Sequence, residues 1–201
     1  MPTSYSENIP KIIDIIKEIQ PKKVLDIGIG EGKFGLLIKE YLSNDVIVDG
    51  VEVYKPYITG IHRAIYRKIY NQDITKMDLR KLEKYDLYLM IDIAEHLQKV
   101  TCHRILKELN GVVLISTPIE DYRAHYENHF EDHVSHWTLE DFSRYEFKNY
   151  STELSVIVLI DTAAEPVNEV KRLRLELDNV YKSRSWRLTR SLREIKKRLH
   201  K

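Results

Sequence analysis

One cysteine, Cys102, stands alone among 201 residues, so no disulfide can form within the chain. It falls in a helical pattern and reads as a small apolar filler. No apolar run approaches the length of a membrane-spanning helix. The N-terminus lacks a basic stretch followed by an apolar one, so no signal peptide is expected and a cytoplasmic protein is the default. Neither sign of charge is in excess, with 32 basic residues against 31 acidic ones. Global charge therefore points to no nucleic-acid partner. Internal repeats and low-complexity segments are also missing. What remains is enough chain for one globular domain with a sizeable core and some appendage.

Residues 6 to 20 carry helical periodicity through Ile9, Ile12, Ile13, Ile16 and Ile19, with Pro10 tolerated in the first turn and Pro21 ending the pattern. Strands and helices then alternate. Strands are expected over 23–27, 46–51, 66–70, 86–91 and 112–116, and helices over 33–42, 56–64, 78–83 and 97–109. Such alternation argues a parallel sheet with helices on both faces. The run Leu87-Tyr88-Leu89-Met90-Ile91 is nearly continuously apolar, as a strand buried on both faces requires. Thr138 is expected to cap a helix whose third position is Asp141. Residues 145–150 and 154–160 read as a final hairpin.

The segment Val24-Leu-Asp-Ile-Gly-Ile-Gly-Glu-Gly-Lys-Phe-Gly35 is the most informative. A short apolar run ends in Asp26, glycines alternate at Gly28, Gly30 and Gly32, and a helical pattern follows. The glycines permit positive φ and close approach of a ligand to the backbone. The following helix start offers unpaired N–H groups. A G-x-G-x-x-G also exists at Gly30, Gly32 and Gly35, which by itself suits dinucleotides equally well. Asp26 is expected to point at the pocket, where it would repel a pyrophosphate and suit a cationic ligand such as the amino group of an amino-acid-bearing cofactor.

The pattern Asp26-x-Gly28-x-Gly30-x-Gly32 resembles the first motif of class I S-adenosylmethionine-dependent methyltransferases, and later motifs follow in order over about residues 22 to 160. The resemblance implies a Rossmann-like α/β fold with a mostly parallel seven-stranded sheet, a methyltransferase domain over 1–162 and a helical tail over 163–201. It implies S-adenosylmethionine as cofactor, with Glu52 at the end of the second strand holding the ribose hydroxyls. Asp73, in Asn71-Gln72-Asp73-Ile74, resembles the adenine-contacting acid; it would equally serve as a cap for the next turn. Asp92-Ile93-Ala94-Glu95-His96-Leu97 resembles the family's Asp-x-x-Glu-His-Leu variant. Asp92 would sit at the topological switch point beside the cofactor. Glu95 could instead complement a helix N-terminus.

His125, His129, His133 and His136 fall within thirteen residues that end at Trp137. Metal binding is one reading of such a segment, but the spacing fits no standard zinc pattern and no metal is assigned. The preferred reading is a loop over the acceptor, since long aperiodic loops are often active-site lids. Asn128, Glu131, His133, Ser135 and Trp137 resemble a segment found at this place in bacterial and archaeal members of the class. Glu95, His129, His136 and Trp137 are the candidate acceptor contacts. His96 or His133 is the candidate base that takes the acceptor's proton.

Past Pro166, Val170, Leu173, Leu177 and Val180 form a short coiled-coil-like seam, which allows a homo-oligomer. A second helix pairs Trp186, Leu188, Leu192 and Ile195 with six basic residues between Arg187 and Arg198. Such a helix can lie on an anionic membrane surface, or pack on the domain. The stretch from Val180 to Thr189 resembles a tail on bacterial glycosyltransferases and methyltransferases of surface-polysaccharide pathways, although its usual Pro-Leu-Arg ending appears as Ser191-Leu192-Arg193. The expected activity is O-methylation of a glycan or glycan precursor, at the inner face of the membrane if the tail binds there. The alternatives are an NAD-dependent oxidoreductase and a non-catalytic methyltransferase-like scaffold.

Overall fold

The computed structural model describes residues 4–120 and 127–163. The readings that involve His125 and the tail, with its membrane and oligomer contacts, lie outside the described residues. These belong to a compact unit that ends at residue 164. Among them no helix is long and apolar enough to cross a membrane.

Seven strands form the sheet: β1 (Lys23–Ile27), β2 (Ile47–Val51), β3 (Lys68–Tyr70), β4 (Leu87–Ile91), β5 (Val112–Pro118), β6 (Phe147–Asn149) and β7 (Ser155–Asp161). Their order is β3-β2-β1-β4-β5-β7-β6. The first five run parallel, whereas β7 inserts antiparallel between β5 and β6, from Val112 opposite Asp161 to Pro118 opposite Ser155.

Helices α1 (Ile9–Ile19), α2 (Lys33–Tyr41), α3 (Gly60–Ile65) and α4 (Lys99–Glu108) complete the fold. Period-two alternation splits the core between the two sheet faces. Leu87 and Leu89 pack with Ile12 and Ile16 of α1 and Ile38 of α2. Tyr88 and Met90 pack with Ile105 and Leu106 of α4. Cys102 is fully buried among the latter, and burial pushes its thiol up to about 12, so it stays protonated and inert.

Several elements are shorter than the sequence suggests. The helix expected over 56–64 splits into a 3-10 turn, Lys55–Tyr57, and α3, because a Thr59–His62 capping box starts a new helix after the first turn. The helix expected over 78–83 is a single 3-10 turn, Leu79–Lys81. The strand expected over 66–70 pairs only at Lys68–Tyr70. Helix α4 begins at Lys99 because Ala94–His96 forms its own 3-10 turn and Leu97 and Gln98 run extended. That separate turn aims Glu95 and His96 at the site. The 138–141 capping box forms as expected, on a 3-10 turn, Leu139–Phe142.

Candidate functional site

A cavity of about 780 Å³ opens at the carboxyl ends of β1, β2 and β4, where the order in which successive strands are laid down reverses between β1 and β4. Open α/β sheets bind ligands at this switch point, and the volume suits a small-molecule site. Gly28 and Gly30, which leave β1 at φ 77° and 50°, line one wall. A side chain on Gly28 would overlap Ile93, which stands 2.0 Å from the position its Cβ would take.

Glu52 terminates the parallel run of β2 and faces this wall. Its Oε2 accepts the Gly30 N–H at 3.0 Å and its Oε1 accepts the Tyr54 N–H at 2.8 Å. Burial raises its pKa, against the pull of these two N–H groups. Asp73 also lines the cavity, and it caps the 3-10 turn Ile74–Lys76: Oδ1 accepts from the Thr75 N–H at 2.9 Å and the Thr75 hydroxyl at 2.7 Å. The capping reading is realised, and the side chain stands where the cavity wall is formed.

The opposite wall begins at Asp92, directly after β4. Its φ of 53° is a strained conformation for a residue with a side chain. Two bonds to Ser116 of β5 hold it: its N–H reaches the Ser116 carbonyl at 2.8 Å, and its Oδ1 accepts the Ser116 hydroxyl at 3.2 Å. Glu95 follows, 3% exposed, with Oε2 lacking any hydrogen-bond partner. Burial, and then the Asp92 charge, push the Glu95 pKa well up.

His96 and His133 meet edge to face, with ring centroids 4.9 Å apart. Ligand atoms of Glu95, His96 and His133 all lie within 4.8 Å of one another, a grouping able to hold a divalent cation. His96 Nδ1 lies 3.1 Å from the Asp132 carbonyl, so this nitrogen carries the proton and Nε2 keeps its lone pair. Burial lowers both histidine pKa values, which favours the neutral, ligating form. Only His133 of this grouping comes from the histidine-rich segment; Glu95 and His96 come from the turn after β4.

Residues 127–137 form a strap fastened to that turn. The Val134 and Ser135 N–H groups donate to the Glu95 carbonyl at 2.9 and 3.0 Å, and the Ser135 hydroxyl donates to the Leu97 carbonyl at 2.7 Å. His129 lines the cavity mouth and lies 3.4 Å from the Asp132 carboxylate. Tyr57 reaches across from the β2 side, where its hydroxyl donates to Glu131.

Asp26, Gly32, His136 and Trp137 lie outside the cavity lining. Asp26 does not point at the pocket: it is 3% exposed beneath the glycine turn, accepting the Tyr66 hydroxyl at 2.7 Å. Gly32 turns toward α3, where a Cβ would come 3.1 Å from the His62 ring. His136 Nε2 is spent on the Ile119 carbonyl at 2.7 Å. Trp137 is 1% exposed and belongs to the core, stacked on Phe142 at 5.1 Å, with its indole N–H on the Ala94 carbonyl at 2.9 Å. Sequence reasoning passed over Tyr57, Lys33 and the N-terminal residues Ser4 to Glu7, all of which line the cavity. It also passed over His62, whose signal was its place three residues after Thr59, as in a capping box.

No protein-family model matches the chain. It is 24% identical over 177 residues to a small RNA 2'-O-methyltransferase from Rattus norvegicus, an alignment that takes in 77% of this chain and spans 43% of that protein. Among solved structures, the methyltransferase domain of bacterial CtHen1 superposes with a TM-score of 0.53 at 21% identity, covering 77% of this chain and 97% of that one. The N-terminal domain of EvdMO1 with SAH bound superposes at 0.59 and 14% identity, covering 78% and 82%; the same domain in the presence of SAH and D-fucose gives 0.56. With its seven strands in this order and its switch-point cavity, the chain has the Rossmann-like fold of class I methyltransferases.

Proposed function

We propose that the chain is an S-adenosylmethionine-dependent methyltransferase that acts on a sugar hydroxyl, with a divalent cation held by Glu95, His96 and His133. One observation carries this reading: a glycine-walled recess with Glu52 at its rim opens onto a carboxylate–imidazole cluster containing an unpartnered buried carboxylate oxygen. S-adenosylmethionine supplies an electrophilic methyl group on a sulfonium, and a cation supplies Lewis acidity at the acceptor oxygen.

The residues fit both groups. Glu52 presents carboxylate lone pairs at the β2 end, where ribose hydroxyls can donate to them. Glu52, Asp73 and Asp92 give the cavity an acidic lining suited to a cationic cofactor. The enzyme's main contribution is to hold acceptor and methyl donor in line. His96 and His133, kept neutral by burial, either ligate the cation or accept the hydroxyl proton.

For the acceptor we favour a glycan or glycan precursor, a reading supported by the tail sequence and by a fold neighbour studied with D-fucose. The similarity to a small RNA 2'-O-methyltransferase favours a second reading, in which the sugar is a ribose of RNA. Both acceptors present a sugar hydroxyl. The oxidoreductase alternative fits less well, since dinucleotide-binding sheets are mostly parallel throughout, whereas β7 here is antiparallel between β5 and β6. Transfer of radiolabelled methyl from S-adenosylmethionine to monosaccharides, glycan precursors and short RNAs tests the reading, alongside calorimetry with S-adenosylhomocysteine and NAD. Label on a sugar oxygen supports it. Binding of NAD alone overturns it, and binding of neither points to a scaffold.

A further inference from the structure

We infer that His62 is a positioning residue for the cofactor: it locks the Gly30 peptide from beneath, on the side away from the cavity. This inference rests on the methyltransferase reading above.

Gly30 is held at both of its backbone polar groups. Its N–H donates to Glu52 Oε2 at 3.0 Å, and its carbonyl lies 2.9 Å from His62 Nε2. The direction of the second bond follows from the other ring nitrogen. The Thr59 N–H donates to His62 Nδ1 at 3.1 Å, so Nδ1 is the acceptor and the ring proton sits on Nε2, where it donates to Gly30. His62 is 1% exposed and has no part in the cavity lining. Its ring therefore serves two masters at once, the start of α3 and the glycine turn.

The glycines around this ring are spaced to admit it. A Cβ on Gly32 would stand 3.1 Å from His62 Cδ2 and Nε2, and one on Gly35 would stand 2.4 Å from Tyr66 Cζ. Tyr66 stacks beside His62 with centroids 6.1 Å apart. Gly32 and Gly35 thus make room under the turn for an aromatic pair, His62 of α3 and Tyr66 just after it, while Gly28 and Gly30 line the cavity. The consequence for binding is direct. Glu52 can meet a cofactor in one geometry only if the Gly30 N–H that anchors its Oε2 is itself fixed, and His62 fixes the same residue at its carbonyl. Preorganisation of this kind raises affinity by removing ordering costs that binding would otherwise bear.

The two bonds can be separated by substitution. His62→Asn keeps an acceptor near the Nδ1 position and can preserve the cap, but cannot reach Gly30. His62→Gln keeps a donor near the Nε2 position and can preserve the Gly30 bond, but gives up the cap. Calorimetry with S-adenosylhomocysteine should show the Asn variant weakened by about tenfold or more and the Gln variant within about threefold of the parent. Thermal unfolding should show the opposite ranking, with Gln the less stable. Affinities that follow the melting temperatures, or an Asn variant that binds like the parent, would overturn the assignment. If neither variant folds, imidazole ¹⁵N spectra of the parent decide: a neutral ring protonated at Nε2, with proton exchange slowed further by S-adenosylhomocysteine, is expected, and an Nδ1-protonated ring overturns it. A parent that binds no S-adenosylhomocysteine removes the methyltransferase reading itself, and this inference with it; a parent that binds while the Asn variant is unaffected removes the inference alone.

Discussion

The Tyr66 hydroxyl donates to Asp26 Oδ2 at 2.7 Å beneath the glycine turn, and the pair is closed off from solvent. Burial pushes the Asp26 pKa up to about 7 from 3.8; the Tyr66 bond and the Gly35 N–H offset only part of that, and the Glu52 charge adds to it. A raised carboxylate pKa has a definite sign in stability. Its favourable contribution is complete below about pH 4 and is lost as pH rises through about 7, because the folded state must then carry a buried charge. Asp26→Asn keeps the shape and an acceptor for Tyr66 but cannot ionise. The stability of this variant relative to the parent should therefore climb between about pH 4 and pH 8. The climb is bounded by about 4 kcal/mol, at about 1.36 kcal/mol per pH unit between 3.8 and about 7. Urea unfolding across that range checks it, and a flat difference curve would place the charge elsewhere.

Glu52 behaves differently because it faces the cavity while anchored to two backbone N–H groups. Replacing it by Gln preserves size but removes the charge and one acceptor. Affinity for S-adenosylhomocysteine should fall by about 1.5–3 kcal/mol, the range for a lost hydrogen bond to a charged group. The melting temperature should drop as well, since the Gly30 or Tyr54 N–H loses its carboxylate. Unchanged binding in calorimetry would remove Glu52 from the cofactor site.

Asp26 and Glu52 looked alike in sequence: each is an acid at the carboxyl end of a parallel strand beside glycine. What separates them is Tyr66, forty residues beyond Asp26 and brought to it only by the packing of α3 under the turn. The strands themselves were legible because parallel strands buried on both faces read as apolar runs, as Leu87–Ile91 does. Element ends were less so, since Lys55–Tyr57 and Ala94–His96 are 3-10 turns whose limits depend on capping and on bonds from distant segments. The Glu95–His96–His133 grouping was hidden for the same reason. Its members come from two loops, and no local spacing announces a cluster assembled by the fastening of Val134 and Ser135 onto Glu95 and Leu97.

If that cluster holds a cation, Glu95 is its indispensable member, being the buried acid with an unpartnered oxygen. Glu95→Gln and His133→Ala should each weaken Mn²⁺ binding, followed by electron paramagnetic resonance, by about tenfold or more; outer-shell changes alone already cost 10–100-fold. Chelation should stop methyl transfer in the parent, and added Mg²⁺ or Mn²⁺ should restore it. Variants that bind Mn²⁺ as the parent does would dismiss the cluster as a cation site.

Trp137 carries stability rather than acceptor recognition. It stacks on Phe142 and anchors its N–H to the Ala94 carbonyl, the residue that precedes Glu95. Trp137→Ala should cost roughly 3–5 kcal/mol, the usual range for removing a large aromatic from a core. Trp137→Phe should recover most of the packing and lose the indole bond to the Ala94 carbonyl. A Phe variant with normal stability but an altered acceptor preference would return Trp137 to the site.

Tyr57 and Glu131 bridge the two halves of the cavity, since Tyr57 stands on the β2 side with Glu52 and Glu131 stands on the strap with His133. Burial, and then the bond to Glu131, push the Tyr57 pKa up to about 12, so its hydroxyl remains a donor throughout the physiological range. Asn128 caps the 3-10 turn His129–Glu131, its Oδ1 accepting the Phe130 N–H at 3.2 Å. The Tyr57–Glu131 bond thus joins the two walls of the recess and is expected to slow the release of a bound ligand. Tyr57→Phe keeps the ring and its edge-to-face contact with Tyr54 at 4.9 Å while removing the hydroxyl alone. Amide exchange over residues 128–133 should accelerate in this variant, and S-adenosylhomocysteine should dissociate several-fold faster in stopped flow. The association rate should change less, because the loss falls mainly on the closed complex, as most affinity changes within one site do. Equal exchange and equal dissociation rates in the parent and the variant would mean that the bridge is a static contact and that the cavity opens elsewhere.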